Sequence, residues 1–383
     1  MKIRILFAFC ALLLSGTIKA QDSKEKLTFT YQQLPLYPLS EDRTYSVEVV
    51  LPYEAEVLAE RAKIEAENEK LKEEAKKEKA EYEKKSVGEK LARKVLLDEK
   101  KPDGNAELIE TPFFQTIWNH DEIKSKVSIP GMEQSADAAA KIKVIINRFD
   151  WTYKEEYIKD KGHYYRVNAT GTITMEAYND KGERINSKNF AISQVGKGND
   201  FQSKYFRSSY DRDKDWNLNK ESKLRSIEAS KLEINSRSMM AYLSQNMGYN
   251  AIEYKSVIFT FKSKKQDYTA LNAAFPIAAE AYNMLATYPI EQVTIGKIDE
   301  MIAIWESEIK NIDANNKKAK INANVGEALY LNLAQACIWK EDFSQAAVYL
   351  AKYKVLDPKG RNSTYKDIQN LYDDQKARYQ ANH

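Results

Sequence analysis

The chain has 383 residues, with 59 lysines and arginines against 56 aspartates and glutamates. Three of the bases, Lys2, Arg4 and Lys19, lie within residues 1–20, so beyond that point the balance is 56 to 56, and the missing basic surplus argues against a nucleic-acid partner. Only Cys337 remains beyond residue 20, which excludes an intramolecular disulfide as a source of stability.

Lys2 and Arg4, the apolar run Ile5–Leu14 and the small residues of Ser15–Ala20 follow the order of a secretory signal peptide, with cleavage expected after Ala20. The run is too short to span a bilayer. Cys10 lies inside it without a small-residue lipobox before it, so export without a lipid anchor is expected. No later run is long enough to cross a membrane. The remaining chain, about 360 residues, is ample for two domains.

Leu27–Gln33 and Thr44–Leu51 alternate apolar and polar residues, which predicts two half-buried strands. Glu54–Lys101 is then almost all Glu, Lys and Ala, with 14 acids, 14 bases and one glycine, Gly88. Its thin apolar stripe, Val57, Ile64, Leu71, Ala75 and Tyr82, follows a heptad and breaks near Gly88. The expectation is one long solvated helix or a helical hairpin bent at Gly88, serving either as a strut or as a docking helix.

Tyr165–Glu176 alternates with a period of two that no helix satisfies. Asp160-Lys161-Gly162 and Asp180-Lys181-Gly182 flank it and supply hairpin loops. Lys141–Ile158, His163–Tyr178 and Glu183–Val195 are therefore predicted to form an antiparallel meander. Asp200–Asn219 reads as a polar, aromatic-rich connector. Lys220–Met247 reads as a helix stopped by Gly248, and Ala251–Phe261 as a strand.

From Tyr268 the pattern is helical. Asp267–Tyr288 and Ile295–Asp313 make one helix pair, and Tyr365–Tyr379 a capping helix. Between them, Tyr330, Leu333, Ala334, Cys337, Ala346, Leu350, Tyr353 and Pro358 fall at the offsets of a 34-residue helical repeat. Glu327–Pro358 resembles one tetratricopeptide (TPR) repeat. It departs from the pattern at Cys337 and Leu350, where aromatics are usual, at Glu341 in place of the turn glycine, and at Tyr353 in place of a small residue. The resemblance implies a partner-binding face, here around Tyr330, Gln335, Trp339 and Tyr349; simple packing of the helices is the alternative. The leader ending Lys19-Ala20 before Gln21, together with this layout, resembles exported Bacteroidota proteins with a TPR-like C-terminal domain, which implies a cell-envelope location.

Other chemistry is sparse. Asp211, Asp213, Asp215, Asn217 and Asn219 alternate like a calcium loop, but Trp216 stands where glycine is needed and Ser222 where a bidentate glutamate is needed. Phe201, Tyr205, Tyr210 and Trp216 could stack on a sugar or small ligand, or could tuck over a sheet. His120 and His163 accompany no nucleophile motif, Gly196 and Gly198 are too few for a phosphate loop, and Cys337 sits at a core position.

The expected architecture is α+β: an antiparallel β-rich domain over 21–266, interrupted by a charged helical insertion at 54–101 and an aromatic, acidic loop at 200–219, then a TPR-like α domain over 267–383. The expected function is a non-catalytic envelope adaptor that binds a protein partner through the helical face. The alternative is a glycan or small-ligand binder using the aromatic loop. No cofactor and no metal are expected.

Overall fold

The computed structural model describes residues 21–97, 101–191, 201–360 and 362–383. The expected leader, the end of the third meander strand (192–195) and the Gly196/Gly198 pair lie outside them. In chain order the elements are β1 (Gln21–Gln33), β2 (Thr44–Val50), α1 (Glu54–Lys84), α2 (Val87–Leu97), α3 (His120–Lys126), β3 (Glu133–Gln134), β4 (Lys141–Ile146), β5 (Asp150–Ile158), β6 (Gly162–Thr170), β7 (Thr172–Tyr178), β8 (Arg184–Ala191) and β9 (Phe201–Gln202). There follow α4 (Ser209–Met247), β10 (Asn250–Lys262), α5 (Thr269–Asn272), α6 (Ala274–Asn283), α7 (Gln292–Ile309), α8 (Ala323–Trp339), α9 (Phe343–Leu356) and α10 (Ser363–Asn382). The chain is thus α+β, with an antiparallel strand-rich region before a helical one. Among the described residues no helix is long and apolar enough to cross a membrane.

Contacts divide the chain into two compact units whose boundaries differ from the expected break at 267. One unit gathers residues up to Pro38, Ile129–Met132 and Leu243–His383; the other holds Leu39–Ser128 and Glu133–Tyr242. The difference arises because β1 and β10 pair antiparallel over their whole length, Gln21 with Lys262 through Gln33 with Asn250. This ribbon belongs to the helical unit. Its Phe29, Tyr31, Ile258, Phe259 and Phe261 share one core with α5 to α10.

In the strand-rich unit, a five-stranded sheet has the order β3-β2-β4-β7-β8 and a three-stranded sheet the order β5-β6-β9. The meander's hairpins form as expected, but the chain spreads them over both sheets. β4 pairs with β7 (Lys141 with Tyr178) and β5 with β6 (Ile158 with Gly162). Residues 147–149 on one arm face only Gly171 and Thr172 on the other, so the register slips by one where the sheets part. β2 departs from the antiparallel pattern, running parallel to β3 and β4. Gly162 is required at its turn: φ is 112°, and a Cβ would lie 2.3 Å from the Phe206 carbonyl oxygen.

The helical insertion breaks after Lys84, just before Gly88. Lys85 is extended, and Ser86 and Glu89 then cap α2 reciprocally, Glu89 Oε2 accepting from the Ser86 amide and Ser86 Oγ from the Glu89 amide.

α4 begins eleven residues before the expected Lys220. Ser208 Oγ accepts from the Asp211 amide and donates to Asp211 Oδ2, which starts the helix. Its buried positions Arg212, Trp216, Leu224, Glu228, Lys231, Asn235 and Met239 recur at three- and four-residue steps or multiples of them. The expected 200–219 loop is therefore, apart from residue 200, which is not described, a short strand, a turn and the start of a helix.

Candidate functional site

The four residues expected on the helical binding face do not form a free face. Gln335, Trp339 and Tyr349 are buried at 1, 4 and 2 % exposure, and Tyr330 is half-buried. The ribbon covers Gln335 and Trp339. Trp339 packs against the rings of Phe29, Tyr31, Tyr254 and Tyr282 at centroid distances of 4.9–6.3 Å. Ser256 Oγ donates to Gln335 Oε1 at 3.1 Å. Asn332, one turn before, reads β10 as another strand would: Oδ1 accepts from the Phe259 amide and Nδ2 donates to the Phe259 carbonyl, each at 2.9 Å. Asn272 repeats the device on Phe261 at 2.9 and 2.8 Å. Tyr349 stacks on Tyr330 at 6.3 Å and donates its hydroxyl to Glu306. Burial pushes the Cys337 thiol up to about 12, which leaves it a small apolar core residue.

The aromatic segment is likewise divided. Phe201 pairs with Val167 as part of β9. Trp216, on α4, is buried and stacks on Tyr153 of β5 at 4.5 Å. Tyr205 and Tyr210 remain exposed, on the turn and at the first residues of α4. The four do not converge into a stacking platform, since two serve the core beneath the three-stranded sheet. Asp211, Asp213, Asp215, Asn217 and Asn219 wind around α4 instead of closing on a point. Asp215 accepts from the Tyr165 hydroxyl and pairs with Lys223; burial works against its ionisation, but these partners hold its carboxyl below the ordinary value. Among the described residues no group of three or more His, Cys, Asp or Glu side chains is placed to hold a metal ion.

A different site is built by a segment with no periodicity, Lys101–Asn119, which returns along α1 as an extended strap. Lys79 Nζ donates to the Asp103 carbonyl (3.1 Å) and the Tyr53 hydroxyl to the Thr116 carbonyl (2.8 Å). Between these, Asn68 bonds both backbone groups of Ile109 and Arg61 lies over the Phe114 ring at 5.3 Å. The lengths match: 26 residues of helix from Lys79 to Tyr53 rise roughly 39 Å, and 13 extended residues from Asp103 to Thr116 reach roughly 43 Å. The strap thus covers the side of α1 that carries the heptad stripe.

α4 holds the strap's other end. Arg225 Nη1 donates to the Phe114 carbonyl and to Thr116 Oγ1 at 2.8 and 2.9 Å. Glu228, 3 % exposed, accepts from the Thr116 amide and hydroxyl at 2.9 and 2.6 Å. Burial raises the Glu228 carboxyl above its ordinary value, against the pull of those bonds and of Arg225. Asn235 Nδ2 donates to the Gly171 carbonyl, fixing the point where β6 gives way to β7.

These anchors leave a groove of about 500 Å³ with α1 on one side, α4 on the other and Glu110–Phe114 as its floor. That is within the range of ligand clefts. Arg61 and Glu65 line one wall, and Asn217, Lys220, Glu221 and Arg225 the other. The floor residues Glu110, Thr111 and Pro112 are exposed, and no hydrogen bond ties their backbone to another element among the described residues. The two further cavities described, of about 30 and 20 Å³, are water-sized. In comparisons with known proteins, no family model, no curated protein and no solved structure matches this chain.

Proposed function

We propose that the protein is a non-catalytic adaptor of the cell envelope that receives an extended segment of a partner protein in the groove between α1 and α4. The observation that carries this reading is the floor: an exposed, extended stretch of backbone, Glu110–Pro112, inside a cleft of about 500 Å³. Extended backbone accepts another strand through main-chain bonds, and neighbouring side chains then select the sequence. Both signs of charge line the groove, Arg61, Lys220 and Arg225 with Glu65, Glu110 and Glu221, which suits a peptide of mixed charge better than a simple anion or cation. The envelope location rests on the leader-like pattern of residues 1–20.

Photo-crosslinking tests it directly. A benzoylphenylalanine at Ile64 or Asn217, on the groove walls, should capture one stoichiometric partner from cells that make the protein, and Glu221→Lys with Glu110→Lys should weaken that capture at least tenfold. Crosslinks arising only from Tyr330 would return the site to α8 and α9. Silence from all three positions would end the adaptor reading.

A further inference from the structure

We propose that α2 is a membrane-contact helix that lies on an anionic lipid surface, a property that does not depend on what the groove binds. The even charge of Glu54–Lys101 hides a division along the chain. Glu54–Glu83 has 11 acids and 7 bases, whereas Lys84–Leu97 has 5 bases (Lys84, Lys85, Lys90, Arg93, Lys94) and 1 acid, Glu89. One stretch is negative by four and the other positive by four. The positive stretch is also where the apolar residues stand in water: Val87, Leu91 and Val95 are 75, 58 and 76 % exposed.

These three are spaced i, i+4, i+8 and fall within roughly 80° of arc on an α-helix, with Lys90 and Lys94 along one border. The helix is an element in its own right, separated from α1 by the extended Lys85 and started by its own Ser86–Glu89 cap. A short amphipathic helix with a basic border is the form that settles at the headgroup boundary, aliphatic side inward and lysines against anionic headgroups. The acidic α1 of a second copy offers the charge but, beyond Leu58, little apolar surface. The stripe side of α1 is covered by the strap through Arg61, Asn68 and Lys79, and α1 exposes mostly charged residues elsewhere. A protein groove would be expected to meet an aromatic anchor, and positions 87–97 hold none.

The test uses the full chain and sedimenting vesicles of phosphatidylcholine alone or with one-third phosphatidylglycerol. The protein should pellet with the mixed vesicles and not with the neutral ones, and added salt should release it. Leu91→Asp should lower the partition at least tenfold, and Lys90→Gln with Lys94→Gln about 25-fold, taking about fivefold per lysine at an anionic surface. Because these side chains lie on the surface, far-ultraviolet circular dichroism and the melting temperature should be unchanged, so that lost binding is not lost folding. Equal pelleting with neutral vesicles, or full binding by Leu91→Asp, overturns the proposal. So does a dimer in sedimentation velocity that Leu91→Asp dissolves, which would give the stripe to a second copy, or equally tight binding to polyglutamate, which would give the lysines to an acidic protein.

Discussion

In the helical unit, the face of α8 that the expected repeat would offer to a partner is closed by the chain itself: Trp339 sits under three rings of the ribbon and Tyr282 of α6, and Asn332 of α8 and Asn272 of α5 bond the β10 backbone as a neighbouring strand would. In the strand-rich unit, an extended segment also lies against a helix, but Asn68 grips it at Ile109 alone and the next residues, Glu110–Pro112, stand open in a groove. The same asparagine device, both amide atoms on one residue's backbone, thus finishes a core in one place and leaves an edge in the other. Burial decides which: Asn332 is 1 % exposed and Asn68 half-exposed. A side chain that a binding motif would present can serve folding instead once another element of the chain reaches it first.

Trp339 separates core from binding surface most clearly. If it is core, Trp339→Ala should cost about 3–5 kcal/mol and lower the thermal midpoint accordingly, with partner capture by the surviving folded protein unchanged. A binding residue would show the reverse, intact stability and lost capture. Asn332→Ala should come next, at about 2–4 kcal/mol, because it leaves the Phe259 amide and carbonyl buried and unpaired. Asn68→Ala removes the same bonds where water replaces them and should cost about 0.5–1.5 kcal/mol. Its distinguishing sign is faster amide exchange at Ile109. Equal losses at positions 68 and 332 would show that the strap is as integral as the ribbon.

How far the sequence could be read follows the same division. The hairpins were legible because Tyr165–Glu176 carries an uninterrupted period of two, and α8 with α9 because Ala334 and Ala346, both fully buried, mark a close helix approach. The groove was not. Its floor, Glu110–Phe114, has no periodicity, since it is held by side chains of two helices and not by a sheet. One of its walls is the first half of α4, where the helix is expected only from Lys220, because the buried stripe begins with Arg212 and goes on through Glu228, Lys231 and Asn235, so that an apolar count does not reveal the first turns. The step from Arg212 to Trp216 and on to Lys220 and Leu224 was the available signal, masked by the alternating aspartates. The β1–β10 pairing joins Gln21 to Lys262, a separation at which local pattern carries no information.

On the groove side, Glu228 ties α4 to the strap. Its carboxyl is raised by burial from an ordinary value of 4.5, so the folded state holds the proton more tightly than the unfolded one. Stability from that protonated form is fully present below about pH 4.5 and is lost as pH rises through the raised value. Glu228→Gln has no such loss. Urea midpoints of the two proteins should therefore move apart between pH 4 and pH 7, with the glutamine variant gaining relative to the parent. A constant difference across that range would mean the carboxyl ionises as readily folded as unfolded.

The smallest effect belongs to the turn between α8 and α9. The repeat pattern expects glycine there, and the chain has Glu341 in the left-handed region at φ 65°, a conformation that costs a residue with a Cβ about 1 kcal/mol or more. Burial also raises the Glu341 carboxyl, with His383 pulling the other way, so ionising it at neutral pH works against the folded state. Glu341→Gly should relieve the strain and add about 0.5–1 kcal/mol at neutral pH, after glycine's greater freedom in the unfolded chain is set against it. If the substitution destabilises instead, the glutamate side chain must be making a contact worth more than the strain it imposes, and the small cavity beside it, lined also by Trp339 and Tyr288, is where that contact would have to lie.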